Sequence, residues 1–305
     1  MSKKFKFIDL FAGVGGIRIP FEELGGECVF SSEWDKFAQI TYEANFGEVP
    51  HGDITKIKEE EIPSHDLLVG GFPCQAFSQA GLKKGFKDTR GTMFFEIARI
   101  LDHHKPKAIL LENVKGLRGH DKGKTFKTII TILHELGYQT LEYKVLNAKE
   151  FGLPQNRERI FIVGFREYSF FQFPEPPMIE TKVGDILEDN VQEKYTISDK
   201  MWKSAKKRKE RNRKKGYGFG YSLFNKDSEY TSTISARYYK DGAEIWIDQN
   251  KKNPRKLTPN EARKLQGFPE NFIIPVSDGQ AYKQFGNAVP VNVVRAVAKE
   301  MVKYL

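Results

Sequence analysis

The chain is 305 residues long, with 39% hydrophobic residues and a formal net charge of +9. That length suffices for one large core or two domains. The two cysteines, Cys28 and Cys74, are too few for a disulfide-built scaffold and favour a reducing cytoplasm. No apolar run approaches the roughly 18 residues of a membrane span, and the N-terminal residues lead into a strand instead of a signal peptide. The positive charge favours an acidic partner, of which nucleic acid is the commonest.

Short apolar segments alternate with helical patterns in the first half of the chain, as in parallel α/β domains. Acidic or reactive side chains stand repeatedly at the carboxyl ends of these segments, where open α/β sheets bind ligands. Pro174, Pro176 and Pro177 then interrupt the pattern and predict a domain boundary. The predicted strands are residues 5–11, 28–31, a third ending near 53, then 67–69, 108–111 and 160–165; the predicted helices are residues 17–24 and 291–302.

A glycine turn, Ala-Gly-Val-Gly-Gly at residues 12–16, follows the first strand. It lacks the full dinucleotide fingerprint, so it suits a nucleotide, another adenosine cofactor or simply a tight turn. Glu33 ends the second strand, where an acid can hold ribose hydroxyls, and Trp34 beside it can stack on an adenine. Asp53 falls at the predicted end of the third strand. Each alone has a structural explanation, but their spacing favours an adenosine site.

Cys74 stands directly after Pro73, in a turn of small residues that ends the apolar run 67–69. This arrangement presents the thiol at the end of a strand. A thiolate is a strong nucleophile, and a turn that leads towards a helix N-terminus lowers its pKa. The alternative is a free cysteine that fills a gap in the core.

The segment 203–215 is strongly basic, with Glu210 as its one acid. It fits either a solvated helix or a phosphate-binding surface. The aromatic, glycine-rich stretch 216–239 follows, and residues 235–242 read Ser-Ala-Arg-Tyr-Tyr-Lys-Asp-Gly. Such side chains can hydrogen-bond to bases and phosphates, although they are also ordinary β-hairpin residues.

Six motifs stand in a fixed order along the chain. They are Phe-Ile-Asp-Leu-Phe-Ala-Gly-Val-Gly-Gly at 7–16, Phe-Pro-Cys-Gln at 72–75, Glu-Asn-Val at 112–114, Gln-Asn-Arg-Glu-Arg at 155–159, Arg-Lys-Leu-Thr-Pro-Asn-Glu-Ala-Arg at 255–263 and Gln-Phe-Gly-Asn-Ala-Val at 284–289. This order resembles the DNA (cytosine-5)-methyltransferases of the restriction–modification type. The resemblance implies an α/β fold. A Rossmann-like, S-adenosylmethionine-dependent methyltransferase domain would span residues 1–186 plus 281–305. A smaller, mostly β target-recognition domain with its hinge would span 187–280.

The resemblance also implies the catalytic residues. Cys74 would add to carbon 6 of cytosine, so that carbon 5 becomes nucleophilic, and Glu112 would hydrogen-bond or protonate ring N3. Arg157 and Arg159 match the paired arginines of the family, one of which helps to orient the base and the acid. Asn113 is expected to order the end of the Glu112 strand and the cysteine loop. No cluster of metal-ligand spacing is present, and no metal is expected.

The cofactor implied by the resemblance is S-adenosyl-L-methionine, with S-adenosyl-L-homocysteine as the product. Glu33 would contact its ribose, Trp34 and Asp53 its adenine, and Asn287 its methionine part. A cofactor without phosphates agrees with the incomplete dinucleotide fingerprint. The full predicted cofactor set is Phe11, Gly13, Gly15, Gly16, Glu33, Trp34, Asp53, Ile54, Pro73, Asn287 and Ala288.

The predicted substrate is a short site in duplex DNA, whose cytosine must be flipped out of the stack. Residues 75–92 resemble the mobile loop that closes over DNA, with Ser78 on a phosphate; the alternative is an ordinary flexible surface loop. Residues 235–242 resemble those of methyltransferases for CCGG-like or CCWGG-like sites. The predicted DNA contacts are Ser78, Lys83, Lys84, Lys87, Arg90, Arg237, Tyr238 and Lys240.

We expect a monomer in the bacterial cytoplasm that acts at the nucleoid, binds no membrane and shares its site with a cognate restriction endonuclease. Two alternatives remain at this stage. An RNA (tRNA) cytosine-5 methyltransferase uses the same motifs, but its Cys-Phe-Thr segment is absent here. A catalytically inert DNA-binding module would not require Cys74, Glu112 and Arg157 together.

Overall fold

The computed structural model describes residues 5–73, 93–250 and 252–305, which form two compact units. Unit 1 comprises Met1–Leu146, Glu158–Glu175 and Val293–Leu305, and unit 2 comprises Asn147–Arg157 and Pro176–Asn292. A segment of unit 2 begins at Pro176, within the proline cluster that predicts a domain boundary. Among the described residues, no helix is long and apolar enough to cross a bilayer.

Unit 1 is built on a six-stranded sheet with the strand order β2-β1-β3-β4-β6-β5. The pairs β1–β2, β1–β3 and β3–β4 are parallel, whereas β4–β6 is antiparallel. The inner strands β1, β3 and β4 are buried along almost their whole length, so they read as largely apolar runs in the sequence. The strands are β1 (Lys6–Leu10), β2 (Glu27–Ser32), β3 (Leu67–Gly71), β4 (Ala108–Val114), β5 (Thr140–Asn147) and β6 (Glu158–Phe165).

The helices of unit 1 cover this sheet with one apolar face each. The third presents its buried residues at helical spacing, including Phe94, Ile97 and Leu101, to the core that also contains Ile8 and Leu68. This core fixes the strands whose ends carry the candidate site. The helices are α1 (Arg18–Glu23), α2 (Lys36–Phe46), α3 (Met93–His104), α4 (Lys124–Glu135) and, at the C-terminus, α8 (Val291–Met301).

The carboxyl ends of the parallel strands meet at one edge of the sheet. Leu10 pairs with Ser32 and Gly70, and Gly71 pairs with Glu112. The predicted third strand near Asp53 is wrong. Only an isolated bridge between Ser32 and His51 forms there, and Asp53 instead begins a 3-10 helix.

Unit 2 contains α5 (Asp199–Lys214), α6 (Pro259–Leu265) and α7 (Asp278–Asn287). Its small sheet has the order β7 (Leu223–Phe224), β8 (Trp246–Gln249) and β9 (Lys252–Arg255). The predicted mostly β domain over 187–280 is therefore wrong for the residues that the structure describes. Helix α5 alone has 16 residues, whereas the three strands have two, four and four. The aromatic and glycine-rich stretch 216–239 forms mainly turns and irregular segments, and the ring of Tyr221 packs against Trp202 of α5 with centroids 4.8 Å apart.

Candidate functional site

The glycine turn after β1 has a backbone that few residues can adopt. Phe11, Gly13 and Gly15 have φ of 56°, 56° and 83°, in the left-handed region. A Cβ on Gly15 would stand 2.2 Å from the ring of Phe46 in α2, so only glycine fits there. Phe11 has no such freedom, and a non-glycine residue held in this region is typical of a ligand site.

Glu33 joins this turn to the start of α2. Its carboxylate accepts hydrogen bonds from the backbone N–H of Gly13 at 2.9 Å and of Asp35 at 2.8 Å. Burial raises the pKa of Glu33, and the backbone donors act in the opposite direction. Next to it, the ring of Trp34 is 79% exposed and offers a free aromatic face at the end of β2.

Asp53 presents a second acceptor after the bridge at His51. Its Oδ1 accepts from the backbone N–H of Thr55 at 3.1 Å and from the Thr55 hydroxyl at 2.8 Å. These donors lower the pKa of Asp53, so the side chain is ionised at neutral pH. Ile54 beside it is buried. The residues at this edge thus offer a left-handed turn, an exposed indole ring and two carboxylates, which fits an adenosine-containing cation better than a phosphate-rich ligand.

A buried ion pair closes the next part of the same edge. Glu112, in β4, is 8% exposed, and its Oε1 lies 3.1 Å from Nε of Arg159 in β6. Burial lowers the pKa of the Arg159 guanidinium, and Glu112 raises it. Asn113 donates to the carbonyl of Phe72 at 2.8 Å and so holds the chain just before Pro73, whereas its expected effect on the cysteine loop stays a prediction.

Arg157 makes a different set of contacts. It is 1% exposed and donates to the carbonyl oxygens of Ile234 at 3.1 Å, Gly286 at 3.0 Å and Ala288 at 2.7 Å, all within unit 2. These contacts hold Arg157 to two backbone segments, at Ile234 and at residues 286–288, and its catalytic role stays a prediction. Of the two arginines in the motif, Arg159 is the one that contacts Glu112.

Replacement of Arg157 by Met should lower the free energy of unfolding by about 2–4 kcal/mol, because three buried carbonyls would lose their donor. Denaturant unfolding measures this loss, and the exposed Arg237→Met is the matched control. A fall in turnover at unchanged stability would instead favour a direct part in catalysis.

The other predicted site residues of unit 2 differ in exposure. Asn287 is exposed at the end of α7, and Ala288 follows it half-buried; their cofactor role stays a prediction. Arg237 and Lys240 are exposed, as a DNA contact requires. Tyr238 is fully buried: its hydroxyl donates to the carbonyl of Ile245 and accepts from the N–H of Leu257. Its predicted DNA contact is therefore corrected to a packing role.

Sequence reasoning assigned no role to a buried polar cluster behind the glycine turn. Arg18 is 6% exposed, bonds Glu22 at 2.7 Å and the Tyr42 hydroxyl at 2.9 Å, and also contacts Glu48. Asp9 is 1% exposed, and neither carboxyl oxygen has a hydrogen-bond partner in the described chain. The one sequence signal was an acid inside an otherwise apolar strand.

Burial raises the pKa of Asp9 to about 8; Arg18 opposes this shift, and Glu33 and Glu22 add to it. The folded protein therefore holds a proton that the unfolded chain releases near pH 4, so its stability falls as the pH rises from about 4 to about 8. Asp9→Asn mimics the protonated form. At pH 9 this variant should gain stability relative to the wild type by up to a few kcal/mol, and near pH 4 the difference should vanish. Urea unfolding at both pH values measures this. A difference that does not change with pH would contradict the assignment.

Several predicted residues lie outside the described part of the chain. They are Cys74, Ser78, Lys83, Lys84, Lys87 and Arg90. In the described ranges, no group of three or more His, Cys, Asp or Glu side chains could hold a metal ion.

Comparisons with known proteins cover nearly the whole chain. A family model described as C-5 cytosine-specific DNA methylase matches residues 5–303. Type II methyltransferase M.DsaV of Dactylococcopsis salina is 61% identical over 308 residues, which span 100% of this chain and 88% of the relative. Type II methyltransferase M1.ScrFI of Lactococcus lactis subsp. cremoris is 63% identical over 310 residues, which span 100% of this chain and 79% of that relative.

Solved structures share the fold. The methyltransferase EhMeth of Entamoeba histolytica superimposes with a TM-score of 0.79 at 23% identity, over 99% of this chain and 98% of its own. The Dnmt2 methyltransferase of S. pombe gives a TM-score of 0.80 at 19% identity, over 98% of both chains. At these identities the likeness concerns the fold alone.

Proposed function

Because the chain belongs to the C-5 cytosine-specific DNA methylases, it transfers a methyl group to carbon 5 of cytosine in DNA, and we propose that Cys74 and Glu112 carry the chemistry. It is the modification enzyme of a restriction–modification system, as are the Type II methyltransferases that it matches along its whole length. The observation that best supports the residue assignment is the position of the buried Glu112, which is paired with Arg159. In the sheet Glu112 lies opposite Gly71, and Gly71 comes shortly before Cys74 in the sequence.

Cys74 acts as the nucleophile. Its thiolate adds to carbon 6 of a flipped-out cytosine, and the electron pair displaced from the carbon 5–carbon 6 double bond makes carbon 5 nucleophilic. After carbon 5 takes the methyl group, loss of its proton restores the double bond and expels the thiolate. The other cysteine does not suit this role, since burial raises the pKa of Cys28 to about 12.

Glu112 stabilises the charge that develops on the ring. A carboxyl group at N3 of the cytosine can donate or share a proton as Cys74 adds to carbon 6. Arg159 holds this carboxyl from one side at 3.1 Å, and because both side chains are largely buried the contact is stronger than it would be in water. Asn113 positions the neighbouring Phe72, and so acts on the cysteine through the backbone.

The methyl donor is S-adenosyl-L-methionine, held at the edge formed by the ends of β1 and β2. When bound, it supplies an electrophilic methyl group on a sulfonium. Trp34 provides an aromatic face for the adenine, the ionised Asp53 accepts from the adenine amino group, and Glu33 offers its oxygens to the ribose. The predicted contributions of Pro73, Asn287 and Ala288 belong to the same proposal.

The target cytosine reaches this site by flipping out of the DNA duplex. The segment 75–92 and the exposed Arg237 and Lys240 contact the DNA. The division into a catalytic domain of residues 1–186 plus 281–305 and a recognition domain of residues 187–280 is part of the proposal. So are a monomeric enzyme at the bacterial nucleoid and a restriction endonuclease that shares its site without binding to it.

Tritium transfer tests the proposal against its alternatives. The enzyme is incubated with S-adenosyl-L-methionine tritiated in its methyl group, with either plasmid DNA or bulk tRNA. We expect label in DNA and none in tRNA. Label in tRNA alone would indicate an RNA methyltransferase, and label in neither would indicate an inert binding module. Bisulfite sequencing of the labelled plasmid then reads the recognition site.

A further inference from the structure

Helix α5 carries a row of positive side chains on its outer face. They recur at spacings of three, four, four and three residues, so they lie on one side of the helix, and all are exposed. With a rise of 1.5 Å per residue the row extends about 21 Å. We call it the basic row: Lys200, Lys203, Lys207, Arg211 and Lys214.

The basic row is largely without acidic partners. Lys214 pairs with Glu210 at 3.1 Å, whereas the structure gives no ion pair in the described chain to Lys200, Lys203 and Lys207. Like charges at spacings of three and four residues repel one another, so this arrangement costs stability unless an anion neutralises it. A row of this kind is suited to a polyanion with regularly spaced charges.

The opposite face of α5 is fixed to the body of unit 2. Ala205 is buried beside Trp246, and the ammonium groups of Lys206 and Lys209 lie over the rings of Trp202 and Tyr221 at 4.9 and 4.2 Å. The helix therefore presents the basic row on a rigid support. Docking groups on a rigid support lose little conformational entropy on binding.

Two aromatic rings continue this surface beyond the end of the helix. Tyr217 and Phe219 are 54% and 66% exposed, and their rings are stacked with centroids 5.3 Å apart. The backbone that carries them is held by Asn212, which is buried in α5: its side-chain amide donates to the carbonyl of Phe219 at 3.0 Å, and its backbone carbonyl accepts from the N–H of Tyr217 at 2.9 Å. Next to a basic row on a DNA duplex, whose bases are stacked on one another, such rings can pack against the sugars between the phosphates.

α5 is also tied to the segment that carries the exposed Arg237 and Lys240. Arg208 pairs with Asp241 at 3.3 Å, and the carbonyl of Asp241 accepts from the indole N–H of Trp246 at 3.0 Å. A DNA duplex in contact with Lys240 would therefore have α5 as a neighbour on the same unit.

We propose that the basic row and the Tyr217–Phe219 pair bind the sugar–phosphate backbone of duplex DNA outside the recognition sequence. The proposal rests on the DNA substrate of the proposed function and adds a sequence-independent docking surface to it. Lysine and arginine contacts to phosphates fix the register of a protein on DNA without reading bases. Release of counterions from those phosphates makes the affinity depend steeply on salt.

The test measures DNA affinity against salt for a variant with four charges removed, K200Q/K203Q/K207Q/R211Q. The slope of log K against log[salt] should become less negative by about 0.9 for each lost phosphate contact. The ratio of affinities for cognate and non-cognate duplexes should stay unchanged. The matched control removes four exposed lysines of unit 1, K58Q/K105Q/K127Q/K299Q, and should keep the wild-type slope. Equal slopes in the two variants would overturn the proposal.

A second measurement starts from the wild type, so its first result does not depend on the folding of a variant. Wild-type affinity is compared between a duplex of about 12 base pairs and one of about 30 base pairs that share the same site. We expect tighter binding to the longer duplex, and Y217A/F219A should reduce that gain. No gain with length would also overturn the proposal. Methyl transfer by the wild type, measured separately, shows whether a failure concerns this surface or the proposed function itself.

Discussion

Cys74→Ser is expected to abolish methyl transfer while DNA binding persists. A hydroxyl is far less acidic than a thiol, so almost none of it is ionised at neutral pH and it cannot add to carbon 6. Loss of a catalytic nucleophile lowers turnover by several orders of magnitude, and here we expect on the order of 10⁴-fold or more.

The measurement combines tritium transfer with DNA binding by the same preparation. The control is Cys28→Ser, because the Cys28 thiol is partly buried, with its Sγ 3.5 Å from the carbonyl of Phe30. That variant should keep its turnover. If Cys74→Ser methylated DNA at a rate similar to the wild type, the nucleophile would have to be another residue.

Glu112→Gln should reduce kcat by roughly 10²–10⁴-fold with little change in the affinity for S-adenosyl-L-methionine. The amide keeps the shape of the side chain and can donate a hydrogen bond to N3, but it is not acidic and cannot transfer a proton to the ring. It also leaves Arg159 without its charge partner at 3.1 Å, in a site where Glu112 is only 8% exposed.

Glu158→Gln provides a matched control in the neighbouring strand. The side chain of Glu158 is 40% exposed and pairs with Lys115 at 2.8 Å, so its replacement should leave kcat near the wild-type value. Kinetics at saturating cofactor and direct binding of the cofactor separate the two effects. A Glu112→Gln variant that lost only cofactor binding would move Glu112 from catalysis to the cofactor pocket.

Five of the six strands of unit 1 could be predicted because their signal is local, whereas β5 (Thr140–Asn147) was not predicted. Apolar runs such as those of β3 and β4 are long enough to define a buried strand, and the structure extends them by a few residues only. The structure of the segment that carries His51 and Asp53 could not be predicted in this way. It pairs with β2 through one bridge, which depends on the tertiary fold and not on a run of β-forming residues.

The sequence predicted which types of residue form the candidate site, but not which contacts each of them makes. The sequence Arg157-Glu158-Arg159 gives no indication that one arginine binds three carbonyls and the other binds Glu112, since both alternate with polar residues. Tyr238 is equally ambiguous, because tyrosine serves both buried and exposed sites. The raised pKa of Asp9 could not be inferred from the sequence, because it depends on how deeply the side chain is buried and on which groups surround it.

The close approach at Gly286 bears on how such enzymes acquire new specificities. A Cβ on Gly286 would stand 2.3 Å from the backbone of Ser235, and Arg157 binds the carbonyl of the preceding Ile234. The residues just before Arg237 are therefore held by contacts to their backbone, which do not depend on the side chains of the stretch that begins at Arg237. A chimera that takes the residues from Arg237 onwards in this stretch from a relative, and keeps Gly286 and Arg157, should keep the fold of this region. We expect such a chimera to recognise a different DNA sequence.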